Sequence, residues 1–384
     1  MQRERRVTVP ASTIAVRLVF AVIVVSSLVA GVAGGLVRAG LVVPRALSGA
    51  WESPAVVSHA FLMICGFMGT VIGIERAVAV KRRLAFAAPI ASGLAGLLML
   101  IGHPELARWV AVAAGMAFMA VNVLVVRRQR AAHTVLLLVA ATTWLAGNLL
   151  FAAAAPPTAV LPWWFSFLVL TIAAERLEMT RLMRRREGAT QVLYAVLGVQ
   201  LVGCAASAVS VAWGGVLYGL SLTGLAVWLL AFDIARRTVK AAGLSRYMAL
   251  CLLLGYVWLA VAGMAWAATS LGQPLRDAAF HALALGFVFS MMLAHAPVIL
   301  PALARVKLQF GWLFYVPLAL LHASLVVRLL GSRIDLSLLA AGAAANALSI
   351  LLFALTVAGS AIAWRAKHSS SSRLPHHGHH PATH

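Results

Sequence analysis

Residues 54–83 read PAVVSHAFLMICGFMGTVIGIERAVAVKRR. From His59 to Ile74 the run carries no acid, lysine or arginine. It is long enough to cross a bilayer core, which takes roughly 20 apolar residues of helix. It ends at Lys81, Arg82 and Arg83, and basic residues just past an apolar run mark the cytoplasmic side of a transmembrane helix. This stretch therefore predicts one span and its direction, entering from outside near Pro54 and leaving inside at Arg83.

Working outward, the same signature recurs. Apolar runs at 13–37, 54–78, 85–102, 107–126, 134–154, 161–183, 190–211, 213–233, 245–269, 277–303, 311–331 and 336–364 predict twelve spans. Basic clusters fall at 3–6, 81–83, 127–130, 181–186, 236–240, 305–307 and 365–367, while the connections between them carry at most Arg38 and Arg45, Arg108, Arg276 or Arg333. Every second connection is basic. A missed or invented span would break that alternation, so one record predicts both the span count and the orientation. The expectation is an all-α polytopic bundle in the cell inner (cytoplasmic) membrane with both termini cytoplasmic.

Composition agrees. Of 384 residues, 62% are hydrophobic and 11% charged, against about a quarter charged in soluble domains. The net charge of +21 sits in short clusters between apolar runs. That placement predicts contact with anionic lipid of the bilayer rather than nucleic acid. The basic start MQRERR leads into a run long enough to span, so no cleavable signal is expected. Cys65, Cys204 and Cys251 all lie in apolar runs without a CxxC, which argues against a disulfide framework or a thiolate metal site. The domains read as a basic segment 1–12, a helical domain 13–364 and a Ser- and His-rich tail 365–384. The tail holds six of the twelve histidines and cannot form a core. It reads as disordered, with metal donation as the sharper alternative.

A weak echo recurs every four spans. Span 2 carries Glu75-Arg76 near its inner end, span 6 carries Glu175-Arg176, and spans 2 and 10 each open with a histidine. Three four-helix blocks would produce this.

Four histidines fall inside spans, where polar side chains cost free energy and are paired or functional. His59 in span 2 and His281 in span 10 lie at similar depth below the outer surface. Two such imidazoles can be axial ligands of a haem iron, or hold copper or zinc with a third ligand. Alternatively each bonds a nearby carbonyl or sits at the headgroups. His295 follows His281 by fourteen residues, which at 3.6 residues per turn puts both on one helix face. His322 in span 11 has comparable depth to His295, so these two form a second candidate metal pair or hydrogen-bond each other. Pro297 removes a helical hydrogen bond and predicts a kink in span 10. His103 and His133 read as interfacial. Glu75, Glu175, Glu178 and Asp233 read as ion-pair partners of the arginines beside them in the chain, with proton uptake as the alternative. Asn122, Asn148, Gln200 and Asn346 read as interhelical hydrogen-bonding residues.

Twelve spans with histidines near the outer ends of spans 2 and 10 resemble the haem–copper oxidase catalytic subunit. The stretches HAFLMICGFMGTVIG and FHALALGFVFSMMLAHAP are also similar to the NnrS family, haem- and copper-containing membrane proteins linked to the nitric oxide response. The resemblance implies that His59 and His281 ligate haem b, that copper is a further cofactor, and that a quinol or redox partner donates electrons. Two departures remove the oxidase binuclear centre: spans 6 and 7 contain no histidine, and His281 is followed by Ala282 and Leu283 rather than a His-x-His. The implied activity is therefore that of a haem-dependent oxidoreductase, electron carrier or sensor without oxygen reduction. A twelve-span secondary transporter is the alternative, although no charged residue is expected at a span centre. An assembly factor that passes on metal is a third reading.

Overall fold

The structure, a computed structural model, describes residues 11–42, 49–180, 187–304 and 306–371. The basic clusters at 3–6 and 181–186, Arg45, Arg305 and the tail beyond residue 371 lie outside the described residues. All regular structure among the described residues is helical. Twelve helices are long and apolar enough to cross a bilayer. They are Val19–Arg38, His59–Val80, Arg83–Leu100, Pro104–Arg128, Ala132–Ala152, Pro157–Met179, Ala189–Ala206, Val211–Phe232, Gly243–Ser270, Arg276–Pro301, Trp312–Ile334 and Leu336–His368, called spans 1 to 12 below. The protein is a polytopic helical membrane protein, with the predicted number of spans.

Each span packs on the next in the chain, and span 12 returns to touch span 1. Within this closed sequence spans 2, 6 and 10 are the interior. Of their apolar stretches 67, 83 and 61% is buried, against 50% or less for the other nine. The four-span echo thus corresponds to every fourth helix turning inward. The last helix runs on to Ser371, past the expected boundary at 364, with Lys307 over the Trp364 ring and His368 stacked on it.

Spans 2 and 10 are not continuous α-helix. Each widens into an eight-residue π-helix, Leu62–Gly69 and Ala282–Phe289. Read side by side, LMICGFMG-T and ALALGFVF-S share a Gly-Phe pair and a hydroxyl residue at matching places. Thr70 donates to the Gly66 carbonyl and Ser290 to the Gly286 carbonyl, each at 2.6 Å. Both glycines admit a neighbour: a Cβ on Gly66 would meet Ser27 Oγ at 3.0 Å, and one on Gly286 would meet Trp258 Cβ at 2.5 Å. The break in span 10 falls here, whereas Pro297 and Pro301 lie within the α-helix that follows.

His281 and His295 are separated by one such π segment, so their spacing is not that of a continuous α-helix. His281 lies beside His59 of span 2, and the charged neighbours of His295 include Glu75 of span 2 and Arg176 of span 6.

Polar side chains fasten neighbouring spans. Asn148 in span 5 donates to the Ala111 carbonyl of span 4 at 2.8 Å and accepts from Trp164 Nε1 of span 6 at 2.9 Å. Gln200 donates to Ser166 Oγ at 3.0 Å, and Asn346 meets Ser324 Oγ at 2.6 Å. Asn122 instead donates to the Phe118 carbonyl of its own helix.

Candidate functional site

At the end of the bundle away from Lys81 and Lys307, His59 begins span 2 at a local break. Ser58 before it departs from α geometry, and the π segment begins three residues later. The His59 Nδ1 lies 2.6 Å from the Gly31 carbonyl of span 1, so Nδ1 carries the proton and donates it. Gly35, one turn along span 1, makes room for the ring: a Cβ there would lie 2.7 Å from His59 Cε1. Nε2 is left as the free nitrogen.

His281 closes the first α-helical turns of span 10. Its Nδ1 lies 2.9 Å from the Asp277 carboxylate and 3.1 Å from the Asp277 carbonyl. Asp277 in turn accepts two hydrogen bonds from Arg328 of span 11, from Nε at 3.0 Å and from an η-nitrogen at 2.8 Å. A planar guanidinium on a carboxylate in this two-point geometry fixes both groups. The chain Arg328–Asp277–His281 holds the imidazole proton on Nδ1 and again leaves Nε2 uncommitted.

The two rings lie side by side in the fold, with centroids 6.4 Å apart and planes inclined by 30°. Two imidazoles binding one metal ion from opposite sides have centroids about 6.2 Å apart, taking a metal–nitrogen bond of about 2.0 Å and a ring centre about 1.1 Å behind each nitrogen. Both line a cavity of about 550 Å³, within the usual size for a cofactor or small-molecule site. Its walls are mainly apolar, with Phe61, Phe67, Leu161, Trp164 and Leu168 among them, while Arg38, Arg108, Arg276 and Arg328 also line it. Arg108 pairs with Glu105 and Arg328 with Asp277. Arg38 donates to the Val56 carbonyl, and Arg276 lies over the Phe280 ring. The cavity thus combines two imidazoles and four guanidiniums with mainly apolar walls, a lining that suits an apolar ligand carrying carboxylates.

His295 and His322 have separate surroundings. The His322 Nδ1 accepts from Trp258 Nε1 at 2.8 Å, and its Nε2 is buried without a partner among the described residues. In that tautomer Nε2 bears the proton, so neither nitrogen offers a free lone pair. The His295 Nδ1 lies 2.7 Å from the Met291 carbonyl, and its charged neighbours are Arg176, Glu75 and Asp233. The ring contact that joins His59 and His281 has no counterpart between His295 and His322 among the described residues. No group of three or more His, Cys, Asp or Glu side chains placed to hold a metal ion occurs among the described residues.

At the basic end, Asp233 pairs across the bundle rather than along the chain. Arg176 of span 6 meets Asp233 at the end of span 8 at 3.5 Å, with side chains only 5% and 1% exposed. Asp233 also caps the short helix that follows, accepting from the Ala235 N–H at 2.7 Å. Arg236, expected to be its partner, donates to the Ala231 carbonyl instead.

Sequence reasoning missed Asp277 and Arg328, and Arg328 is a buried charge inside a span where none was expected. Two signals were present. Asp277 stands four residues before His281, one helical turn away, and an arginine within a span needs a partner.

Fold and site together define a class: a twelve-span helical membrane protein with two adjacent imidazoles at one end of its three central helices. The chain belongs to the family described as a domain of unknown function, DUF8744, whose match extends over residues 17–362. No curated protein and no solved structure matches it.

Proposed function

We propose that the protein is a haem b-binding membrane protein of the NnrS or oxidase-like type, working in electron transfer or the response to nitric oxide. The observation that carries this reading is the 6.4 Å separation of the His59 and His281 rings, each with Nδ1 already bonded and Nε2 free. The residues present suit the group. His59 and His281 would supply axial nitrogens, the apolar walls would hold the macrocycle, and Arg38 and Arg276 would receive its carboxylates. Bound there, haem would supply one-electron chemistry at a potential that axial ligands and burial adjust. The protein's own contribution is to fix both imidazole tautomers. Copper finds less support, since His322 has no free nitrogen lone pair.

We further place the protein in the cytoplasmic membrane with both termini inside, on the strength of the basic clusters that follow every second span. A quinol or a redox protein would be the electron partner.

The test is spectroscopic. Protein purified in detergent from haem-replete cells is expected to show sharp α and Soret bands on reduction and a pyridine haemochrome of haem b. His59→Ala and His281→Ala should each abolish the low-spin bands. Folded wild-type protein without the bands would overturn the reading, and haem-free protein that drives proton-coupled solute uptake would favour a transporter.

A further inference from the structure

The two imidazoles of the site are alike in spacing and orientation but unlike in what holds them. His59 donates to a neutral backbone carbonyl, Gly31, on span 1, and span 1 has the smallest buried share of the twelve, 17%. His281 donates to a carboxylate, and that carboxylate is clamped by a buried arginine. A hydrogen bond to an ionised acceptor is roughly twice as strong as one to a neutral acceptor. A carboxylate behind a ligating imidazole also raises the electron density on its far nitrogen and fixes the ring's orientation. Arg328 completes the unit. Without it Asp277 would face a largely apolar environment as an unpaired charge, which is costly, and its two oxygens would be free to turn away from His281.

We infer that Asp277 and Arg328 are positioning residues that make His281 the permanent, electron-rich ligand of the site and leave His59 as the weaker one. This rests on the haem reading above and adds a polarity to it. The site has a fixed side, built by spans 10 and 11, and a yielding side, built by spans 1 and 2. Both histidines precede a π segment, His281 directly. His59 differs in following the break at Ser58, whereas His281 ends an unbroken α-helical stretch, Arg276–His281. Any change in the position of span 1 moves the Gly31 carbonyl, and with it the hydrogen bond that orients the His59 ring among the described residues. No comparable single contact controls His281.

The inference is tested on the full-length haem-loaded protein by redox titration and by haem retention. Replacing Asp277 by Asn keeps the shape and a hydrogen-bond acceptor but removes the charge. The expected result is a protein that retains haem with its midpoint potential shifted upward, because a less electron-rich His281 favours the reduced iron. Asp277→Glu should restore part of the shift. If Asp277→Asn fails to fold because Arg328 is left unpaired, the double variant Asp277→Asn with Arg328→Gln removes both charges together and should show the same upward shift. In parallel, His59→Ala should retain haem in a high-spin form, whereas His281→Ala should lose it on purification. An unchanged potential in the Asp277 variants, or equal haem loss from the two histidine variants, overturns the inference while leaving the haem reading intact. Absence of haem from the wild-type protein overturns the earlier reading instead.

Discussion

Gly219 of span 8 and Gly263 of span 9 meet backbone to backbone. A Cβ on either would lie inside the contact radius of the other's carbonyl oxygen. Small residues let membrane helices approach closely enough for their main chains to touch. Gly219→Val or Gly263→Val should therefore force the two spans apart, at a cost of roughly 1–3 kcal/mol or more, seen as a lower melting temperature in detergent. Gly198 in span 7 has nothing within 4 Å of its would-be Cβ. Gly198→Ala should be neutral or raise stability by up to about 1 kcal/mol. Equal effects at the buried and open positions would contradict this packing.

Asn148 joins three other spans through Cys65, Ala111 and Trp164. Asn148→Leu keeps the volume but strands the Trp164 N–H, a buried polar group whose loss of partner costs about 1–3 kcal/mol. The expected readout is a drop in melting temperature that Trp164→Phe, added to it, partly reverses.

Asp233 should be among the least replaceable residues. Removing one member of a buried ion pair costs roughly 3–5 kcal/mol because the other charge is left alone, whereas replacing both by apolar residues of similar size is often neutral. Asp233→Ala is thus expected to reduce the yield of folded protein sharply, and Arg176→Met combined with Asp233→Leu to recover it. Fluorescence-detected size exclusion would separate the two outcomes, and a double variant no better than the single one would refute the pairing.

Gly35 offers a probe of the site that leaves the histidines in place. A side chain there collides with the His59 ring, so Gly35→Leu should displace that imidazole without removing it. The expected result is folded protein with the low-spin haem signature lost, read from the same spectrum that tests the function.

Asp335 gives a pH-dependent prediction outside the membrane-spanning segments. Its carboxylate accepts from the Ser337 hydroxyl and the Ser337 N–H, as an N-cap does, and these hydrogen bonds hold its pKa below the ordinary value. A carboxylate with a depressed native pKa adds stability above its unfolded pKa and loses it as pH falls through the native one. The first turn of span 12 should therefore fray only in acid below the usual carboxylate range. Amide exchange at Ser337 would report it, and Asp335→Ala should fray at every pH.

The span count and the shared depth of His59 and His281 were legible because both depend on where charge stops and apolar sequence begins. That pattern survives any local change in helix type. The π segments within spans 2 and 10 were not legible. Nothing in ALALGFVF marks it as π rather than α until it is laid beside LMICGFMG. Arg328 escaped because a lone arginine among Leu and Val reads as a misplaced connection residue, and its partner lies 51 positions earlier in the chain. The Arg176–Asp233 pair escaped for the same reason: each residue has an oppositely charged neighbour in sequence, and the fold chose a different one.

The placement of the two histidines also bears on how the protein is made. His59 enters the membrane with the second helix and His281 with the tenth, more than two hundred residues of translation later, and the arginine that steadies His281 arrives with the eleventh. During most of its synthesis the chain therefore carries half a site, with the His59 imidazole waiting beside span 1. A cofactor that requires both rings cannot be captured by the growing chain. On the haem reading, such a cofactor must be delivered to a nearly finished protein, which makes the supply of cofactor and the supply of new chain separate events that the cell can regulate apart.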